Sequence, residues 1–290
     1  MRWSSVAAFV SSWFMVGLAA GAPDAPPPPK ERVTKPAANA SLGLRYLDEK
    51  VNGLKVAETA HFRILHDQEK DVVAKVAKIA EDARVALQKR WFGDVSIEWD
   101  GKCSIYLHGT LKDYSKKTGL KNTLGHMRTL DLGIGIRRSI HVPCKEPRLA
   151  TEILPHEVCH SVMAVRFQGQ TPRWADEGMA MLAQTPDSVQ ECVGLLPGIR
   201  KNDNLFSLEV LMQTHEAEHM NTMEYYAQAT SLVQFLCQLK GEQEFPKFLR
   251  TSLSKGYEPA LKQHFGIESF RDLDERWQSF VFGKTKSPKK

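Results

Sequence analysis

The sequence lacks several features that would assign a function class immediately. None of its five cysteines belongs to a C-x-x-C pair, so a zinc cluster held by thiolates is not expected. No internal repeat is present, which argues against a repeat array. Only residues 6–18 form a long apolar run, and they fall short of the roughly 20 residues that span a bilayer. The 290 residues, 42% of them hydrophobic and 25% charged, indicate one large globular domain or two lobes around a shared cleft.

The N-terminus has the pattern of a secretory signal peptide. Arg2 precedes the apolar run, and a group of small residues follows it. We expect cleavage after Ala20 rather than Ala22, because Pro23 would lie directly after the second site. The predicted signal peptide is residues 1–20, so the protein is expected in the periplasm or outside the cell, with no stable membrane insertion after cleavage. An uncleaved anchor is the alternative.

Two further segments are predicted to flank the folded domain. Residues 21–40 contain four consecutive prolines and are expected to be a linker, since proline favours an extended chain. Residues 284–290 form a short basic tail. Loss of Arg2 with the signal peptide lowers the formal net charge from +5 to +4. So small an excess of positive charge predicts no nucleic acid partner. The folded domain is expected to span 41–283.

The predicted domain has two parts with different patterns. Residues 41–147 show alternating and helical segments and predict a mixed α/β lobe, whereas 148–283 predict a mainly helical lobe. This α+β organisation suggests a cleft between the two lobes. The predicted strands are 61–66, 102–109 and a pair about Gly133 and Gly135. The predicted helices are 71–92 (ending at Gly93), 111–117, 149–167, 173–184, 206–214, 222–239, 243–253 and 267–281.

Two histidines four residues apart form the strongest motif, in the segment LPHEVCHSVM. Positions i and i+4 of a helix lie on one face, one turn apart, so His156 and His160 can bind the same metal ion. Glu157 faces the same cleft but points past the ion, which suits a general base acting on a water molecule. Such a motif also occurs by chance, in a helix whose histidines make ordinary hydrogen bonds.

Pro155 argues against a helix at this position, because proline removes an N–H and disfavours helix in the residue before it. Either Thr151 caps the helix and Pro155 falls one turn inside it, or one helix ends at Leu154 and another begins at Pro155. Both arrangements allow residues 156–167 to be helical.

A third ligand is predicted in the segment QTPRWADEGMAML. Thr171 is a natural N-cap with Pro172 at the first helical position, which places Glu177 inside a second helix. A carboxylate from this antiparallel helix completes a His₂Glu set and leaves one zinc position open for water, as in catalytic sites. Asp176 is the competing ligand. The small Gly178 is expected to let the two helices approach closely.

The cysteines permit several arrangements. Export allows disulfides, and five thiols leave at least one unpaired. Cys159 lies within the histidine motif but points off the ligand face, so burial or a disulfide with Cys192 is expected rather than metal binding. Cys103 and Cys144 lie on neighbouring predicted strands and form a second candidate pair. Cys237 has no assigned partner.

HEVCH followed by PRWADEGMA resembles the gluzincin pattern H-E-x-x-H…W-x-x-E-G-x-A, and is similar to the peptidase-MA-like domains of exported bacterial proteins. The likeness extends over most of residues 58–240. Pro155 departs from it, since a small or apolar residue often stands there. Met181 also departs, since thermolysin-like gluzincins carry an aspartate there that supports a histidine ligand. The partners of the two histidines are therefore unassigned, and the chain stands apart from the thermolysin group.

The resemblance implies a zincin-like fold with one Zn²⁺ per chain and a peptide or protein substrate. His156, His160 and Glu177 would hold the metal, and Glu157 would act as the base. Fold analogy also implies that residues 139–143 form an edge strand able to pair with an extended peptide.

Tyr226 is the implied donor to the oxyanion of the reaction. Tyr225 and His219 are rivals for that role. Tyr226 also lies on one helical stripe with Val233, so a plain core position is the alternative.

An endopeptidase is favoured over an aminopeptidase, because no G-x-M-E-N-type amine-binding motif precedes the histidines. A non-catalytic peptide- or protein-binding protein on the same fold is the alternative from another class, although it would not need Glu157. A purely structural zinc site would normally have four protein ligands, and only three are evident. The oligomeric state is not predicted.

Overall fold

The computed structural model describes residues 42–121, 123–131, 135–214 and 222–283. The segments predicted as signal peptide, linker and basic tail lie outside this range, so those boundaries stay predictions. Within the described part of the chain, no helix combines the length and the apolar composition needed to cross a membrane.

The N-terminal half is a six-stranded sheet with two helices. Its order is β1-β2-β3-β4-β6-β5, in which β3, β4 and β6 run parallel and the remaining neighbours pair antiparallel. The strands predicted within 41–147 and both predicted helices are confirmed. The elements are β1 (Arg45–Val51), β2 (Leu54–Glu58), β3 (Phe62–His66), α1 (Lys70–Phe92), β4 (Cys103–His108), α2 (Leu111–Thr118), β5 (His126–Asp131) and β6 (Ile136–Pro143).

Strand β4 shows how the sequence orients the sheet. Successive side chains of a strand point to opposite faces, and in β4 one set is buried while the other is half-buried. The buried set is Cys103, Ile105 and Leu107. It shares one core with α1, which ends at Gly93 in the left-handed conformation (φ 69°) that glycine adopts without a Cβ clash.

The β1–β2 hairpin was not predicted, although its turn carries a signal. Asn52 and Gly53 connect the strands with positive φ values of 51° and 82°. An Asn-Gly pair between strands favours the turn whose twist matches that of the sheet. Residues 45–51 are mostly exposed in the structure and have mixed polarity. They therefore lack the alternation of apolar and polar residues that would predict a strand.

The prediction that residues 139–143 form an edge strand is wrong. They belong to β6, which lies between β4 and β5 and pairs with both. Among the described residues, β5 is the edge strand on this side of the sheet. The chain turns back after β5 and inserts β6 beside the parallel strand β4, which local sequence patterns do not reveal.

The proposed disulfides are absent, and all five cysteines are free thiols in the structure. Cys103 begins β4, whereas Cys144 follows the end of β6 and its N–H donates to His108 at the other end of β4. At about 3.3 Å per strand residue, the two lie far beyond the roughly 7 Å that a disulfide can bridge. Cys192 lies beside Thr230, with its thiol hydrogen-bonded to that residue rather than bonded to Cys159.

The C-terminal half is helical, which confirms the predicted α+β class. Each predicted helix of this half has a counterpart, and three short helices, at Pro186–Val193, Leu196–Lys201 and Tyr257–Phe265, were not predicted. The elements are a π-helical turn (Leu149–Ile153), α3 (Leu154–Phe167), α4 (Arg173–Met181), α5 (Pro186–Val193), α6 (Leu196–Lys201), α7 (Leu208–Gln213), α8 (Met223–Lys240), α9 (Glu244–Lys255), α10 (Tyr257–Phe265) and α11 (Phe270–Phe282).

Helix α4 is held by close packing on α8. A Cβ added at Gly178 would lie 2.6 Å from Val233 Cγ2 and 2.8 Å from the Ala229 carbonyl oxygen. The small residue is therefore needed, but its neighbour is α8 and not the histidine helix as expected. This contact sets the position of α4, and with it the position of Glu177.

We predict that Gly178→Ala lowers the free energy of unfolding by about 1–3 kcal/mol, because the added methyl overpacks the α4–α8 contact. Gly198→Ala is the matched control, since a Cβ there meets nothing within 4 Å. That change in α6 should be neutral or stabilise by up to about 1 kcal/mol. Urea unfolding of both variants tests this, and equal stabilities would contradict the packing argument.

Candidate metal centre

The chain enters the histidine helix through a widened turn. In the π-helical turn, the Ile153 N–H donates to the Arg148 carbonyl at 3.1 Å, five residues back. In a regular α-helix the ring of Pro155 would clash with the carbonyl of Thr151, four residues earlier. The wider turn makes room for the proline, so Pro155 lies in the first turn of α3. Thr151 lies inside the turn and is not its cap, and the helical path does not break at Leu154.

Helix α3 buries both histidines and the glutamate between them. His156, Glu157 and His160 are 5%, 4% and 2% exposed. The two imidazole rings lie on the same helical face, and their Nε2 atoms are 3.2 Å apart. The i, i+4 spacing thus brings the rings together as predicted.

Helix α4 brings Glu177 to the same point. It begins at Arg173, with Pro172 as its N-cap at an extended ψ of 136°, so the predicted cap at Thr171 is wrong by one residue. The extended conformation of Pro172 delays the helix, and the buried Thr171 hydroxyl has no hydrogen-bond partner among the described residues. Glu177 Oε2 lies 3.7 Å from Nε2 of both His156 and His160.

The three ligand atoms fit a zinc ion. Atoms bound tetrahedrally at about 2.0–2.1 Å from one Zn²⁺ are separated by roughly 3.3 Å. The separations of 3.2, 3.7 and 3.7 Å lie close to that value. Among the described residues, His156, His160 and Glu177 are the one group of three or more such side chains whose ligand atoms converge in this way. Cys159 is fully buried and does not belong to the group.

Asp176 has a role that the sequence left unassigned. Its Oδ2 lies 2.9 Å from Nδ1 of His160, on the side of the ring away from the ligand cluster. A carboxylate at this position holds the proton on Nδ1 and leaves the Nε2 lone pair free for a metal. Asp176 is therefore placed to support a ligand, and the aspartate missing at Met181 has a substitute directly before Glu177.

His156 is oriented from the other side of the cluster. Its ring is hydrogen-bonded to the backbone of Ala180, and its Nδ1 lies 2.9 Å from Nε2 of Gln184. These contacts orient the ring, so that Nε2 of His156 faces the same small space as Nε2 of His160. The sequence did not indicate a role for Gln184, because this residue follows the end of α4 and belongs to no motif.

Burial and neighbouring charges both shift the pKa values of the clustered side chains. Burial by itself lowers the pKa of His160, but the nearby carboxylates, led by Asp176, raise it to about 10. Burial and the proximity of His160 lower the pKa of His156. Burial raises the pKa of Glu177 against the opposing effects of His160 and Arg173. Two histidines and a carboxylate so close together in a buried space favour the binding of a cation.

Glu157 stands beside the cluster with free hydrogen-bonding capacity. Its Oε2 is buried and has no hydrogen-bond partner among the described residues. Burial, followed by the charges of Glu177 and Asp176, raises its pKa to about 8 against the opposing effect of His160. A divalent cation in the cluster would oppose this shift, because positive charge favours the carboxylate.

The tyrosines of α8 reach the same region. Tyr226 is buried and hydrogen-bonds to the Glu177 carboxylate, which lowers the pKa of Glu177. The Tyr225 hydroxyl is buried without a hydrogen-bond partner among the described residues, and Arg173 lies over its ring at 5.2 Å. His219, the third candidate for the oxyanion donor, lies outside the described residues.

Comparison with known families identifies the class of this domain. Residues 141–283 match the family model of the peptidase MA superfamily. The match begins within β6 and includes the whole ligand cluster. Together with the sheet, the histidine helix and the converging side chains, the match supports a gluzincin-type peptidase-like domain.

One solved structure with similarity to the chain is an M1 zinc metallopeptidase mutant from Deinococcus radiodurans, bound to a Tyr-Ser-Ala substrate. The sequences are 15% identical, the TM-score is 0.38, and the alignment covers 85% of this chain and 53% of the other. The chain thus spans about half the length of that protein. No curated protein matches the chain.

We predict that Asp176→Asn weakens zinc binding by about 10- to 100-fold, because the neutral amide holds the His160 proton less firmly. Competition with a chromophoric chelator measures the affinity. Asp187→Asn, at an exposed position in α5, is the control and should bind zinc as the wild type does. Equal affinities for wild type and Asp176→Asn would show that Asp176 does not support the metal ligand.

Proposed function

We propose that this chain is an exported, zinc-dependent metallopeptidase that hydrolyses peptide bonds. The observation that carries the proposal is the convergence of two imidazole nitrogens and the Glu177 carboxylate beside Glu157. Three such side chains converge among the described residues, and zinc bound by three protein ligands has a position open for water, as in catalytic rather than closed structural sites. The peptidase superfamily match over 141–283 supports the same class of reaction.

When bound, Zn²⁺ would polarise the scissile carbonyl and lower the pKa of a water molecule. Glu157 then accepts a proton from the attacking water and delivers it to the leaving amine. Its buried carboxylate suits both steps, because burial favours the protonated form that must exist between them. Asp176 and the Ala180 backbone keep the two histidines in the orientation that the ligand role requires.

The free edge of β5 is the proposed place for the substrate. An extended peptide can add to a sheet edge through main-chain hydrogen bonds, and β5 now takes the role that sequence analogy assigned to residues 139–143. Its first residue, His126, follows Gly125, whose backbone lies against the Glu157 carboxylate. A peptide paired with β5 would thus pass the proposed base. The absence of an amine-binding motif supports an endopeptidase.

Export is part of the proposal and rests on the N-terminal sequence. Residues 1–20 have the charged start, apolar run and small-residue exit of a signal peptide. We propose a periplasmic or extracellular location, with peptides or proteins as substrates. N-terminal sequencing of the secreted protein tests this, and Gly21 is the expected first residue.

We predict that Glu157→Gln keeps about one zinc per chain and loses roughly 10²- to 10⁴-fold in peptide hydrolysis, the usual contribution of a general base. Glu191→Gln, an exposed change in α5, is the control and should retain full activity. Metal content and cleavage of a peptide library are measured on the same samples.

The possible results separate the alternatives. A wild-type protein without bound zinc would overturn the metal site. An active Glu157→Gln variant would remove Glu157 as the base. Peptide binding by a wild type that cleaves nothing would support the non-catalytic binding protein instead.

We predict that Tyr226→Phe lowers kcat by about 10²-fold with zinc retained, as expected for the loss of an oxyanion donor. Tyr226 also hydrogen-bonds to Glu177, so its alternative role is to support that ligand. In that case Tyr226→Phe would lower the affinity for zinc rather than kcat. Steady-state kinetics and chelator competition on one preparation distinguish the two. Unchanged kcat at saturating zinc would leave Tyr226 outside the chemical step.

A further inference from the structure

The segment before β5 packs closely against Glu157, the proposed base. A Cβ added at Gly125 would lie 2.8 Å from Ile153 Cγ2, 3.1 Å from Glu157 Oε1 and 3.3 Å from Val142 Cγ1. Real Cβ atoms essentially never lie as close as 2.8 Å to another atom, so a side chain at this position would have to displace Ile153. The Gly125 backbone therefore forms one wall of the space that holds the Glu157 carboxylate.

The residues on either side of this wall are held by one buried hydroxyl. Tyr114, on α2, is fully buried, and its hydroxyl lies 2.7 Å from His126 Nδ1 and also contacts Thr123 Oγ1. Thr123 precedes the wall by two residues and His126 follows it by one. The hydroxyl therefore connects both ends of the segment that contains Gly125.

The chemistry of His126 supports this connection. Burial, reinforced by Arg128 and His108, lowers the pKa of His126 to about 3, so its ring is neutral and Nδ1 can accept a hydrogen bond from Tyr114. The Thr123 hydroxyl can then donate to the oxygen of Tyr114. All three side chains are buried, so water does not compete for these bonds.

We propose that Tyr114 is a positioning residue for the catalytic step, because its hydroxyl fixes the Thr123–His126 segment and thereby the Gly125 wall against the Glu157 carboxylate. The proposal rests on the peptidase function proposed above. Tyr114 does not contact the ligand cluster through any described hydrogen bond, and it acts on the base through the main chain. Its electrostatic interaction with Glu157 is consistent with their proximity.

Loss of the hydroxyl should affect the chemical step more than substrate or metal binding. Misplacement of a catalytic group by about 1 Å can cost as much as 10²-fold in rate. We expect Tyr114→Phe, which keeps the ring, to lower kcat by about 10-fold or more with unchanged zinc content and nearly unchanged KM. Thr123→Val removes the other partner and should give a smaller fall in kcat. The double variant should be little worse than Tyr114→Phe, because both act through one network.

The control is Tyr46→Phe, which removes a comparable hydroxyl hydrogen bond, to the Lys70 carbonyl at 2.9 Å, in the strand at the opposite edge of the sheet. It should leave kcat and KM unchanged. Amide hydrogen exchange gives a readout independent of activity: residues 123–126 should exchange faster in Tyr114→Phe and not in Tyr46→Phe. Gly125→Ala should also lower kcat, because the new methyl displaces Glu157 or Ile153.

The outcomes distinguish the positioning role of Tyr114 from the peptidase function on which it rests. Wild-type protein that binds zinc but cleaves no peptide would defeat the proposed function, and the positioning role with it. An active wild type with an equally active Tyr114→Phe variant would defeat the positioning role alone, even if exchange at 123–126 increased. A parallel loss of zinc from Tyr114→Phe would assign Tyr114 to metal binding or folding and would also overturn the proposal.

Discussion

Two imidazole nitrogens that face each other across 3.2 Å in a buried space set the main constraint on this structure. Such a close approach needs a proton or a metal ion between the two nitrogens, because two lone pairs at this distance repel each other. Asp176 and the Ala180 backbone maintain that orientation through their contacts with the rings of His160 and His156. The carboxylate of Glu177 adds the negative charge that makes this space a favourable place for a divalent ion.

The surrounding fold holds the two histidines and Glu177 in position. The π-helical turn admits Pro155 and starts α3 in the correct orientation, and Gly178 lets α4 lie close to α8. The position of Glu177 therefore depends on α8, a helix that carries none of the three candidate ligands. On the other side, the sheet brings Gly125 to the carboxylate of Glu157. The candidate site is thus built from both halves of the domain, although its three candidate ligands come from two consecutive helices.

Much of the site was accessible from the sequence because its geometry is local. The i, i+4 spacing of His156 and His160 and the helix signals before Glu177 depend on short stretches of chain. The supporting residues were harder to identify. Asp176 was considered as a ligand, yet its carboxylate meets the far side of His160, and that distinction depends on the rotation of α4 relative to α3. Tyr114 and Gly125 carry no motif, and their relation to Glu157 exists only after the sheet is assembled.

By itself, the sequence determined the α+β class, the long helices, the set of converging side chains and the neighbouring glutamate. Periodicity and spacing within one or two helical turns are sufficient for these features. Only the tertiary structure decided that β5 and not β6 is the sheet edge, that Cys103 and Cys144 lie at opposite ends of parallel strands, and that Asp176 supports His160. Strand order and helix rotation arise from contacts between residues that are distant along the chain. A local sequence pattern does not indicate such contacts.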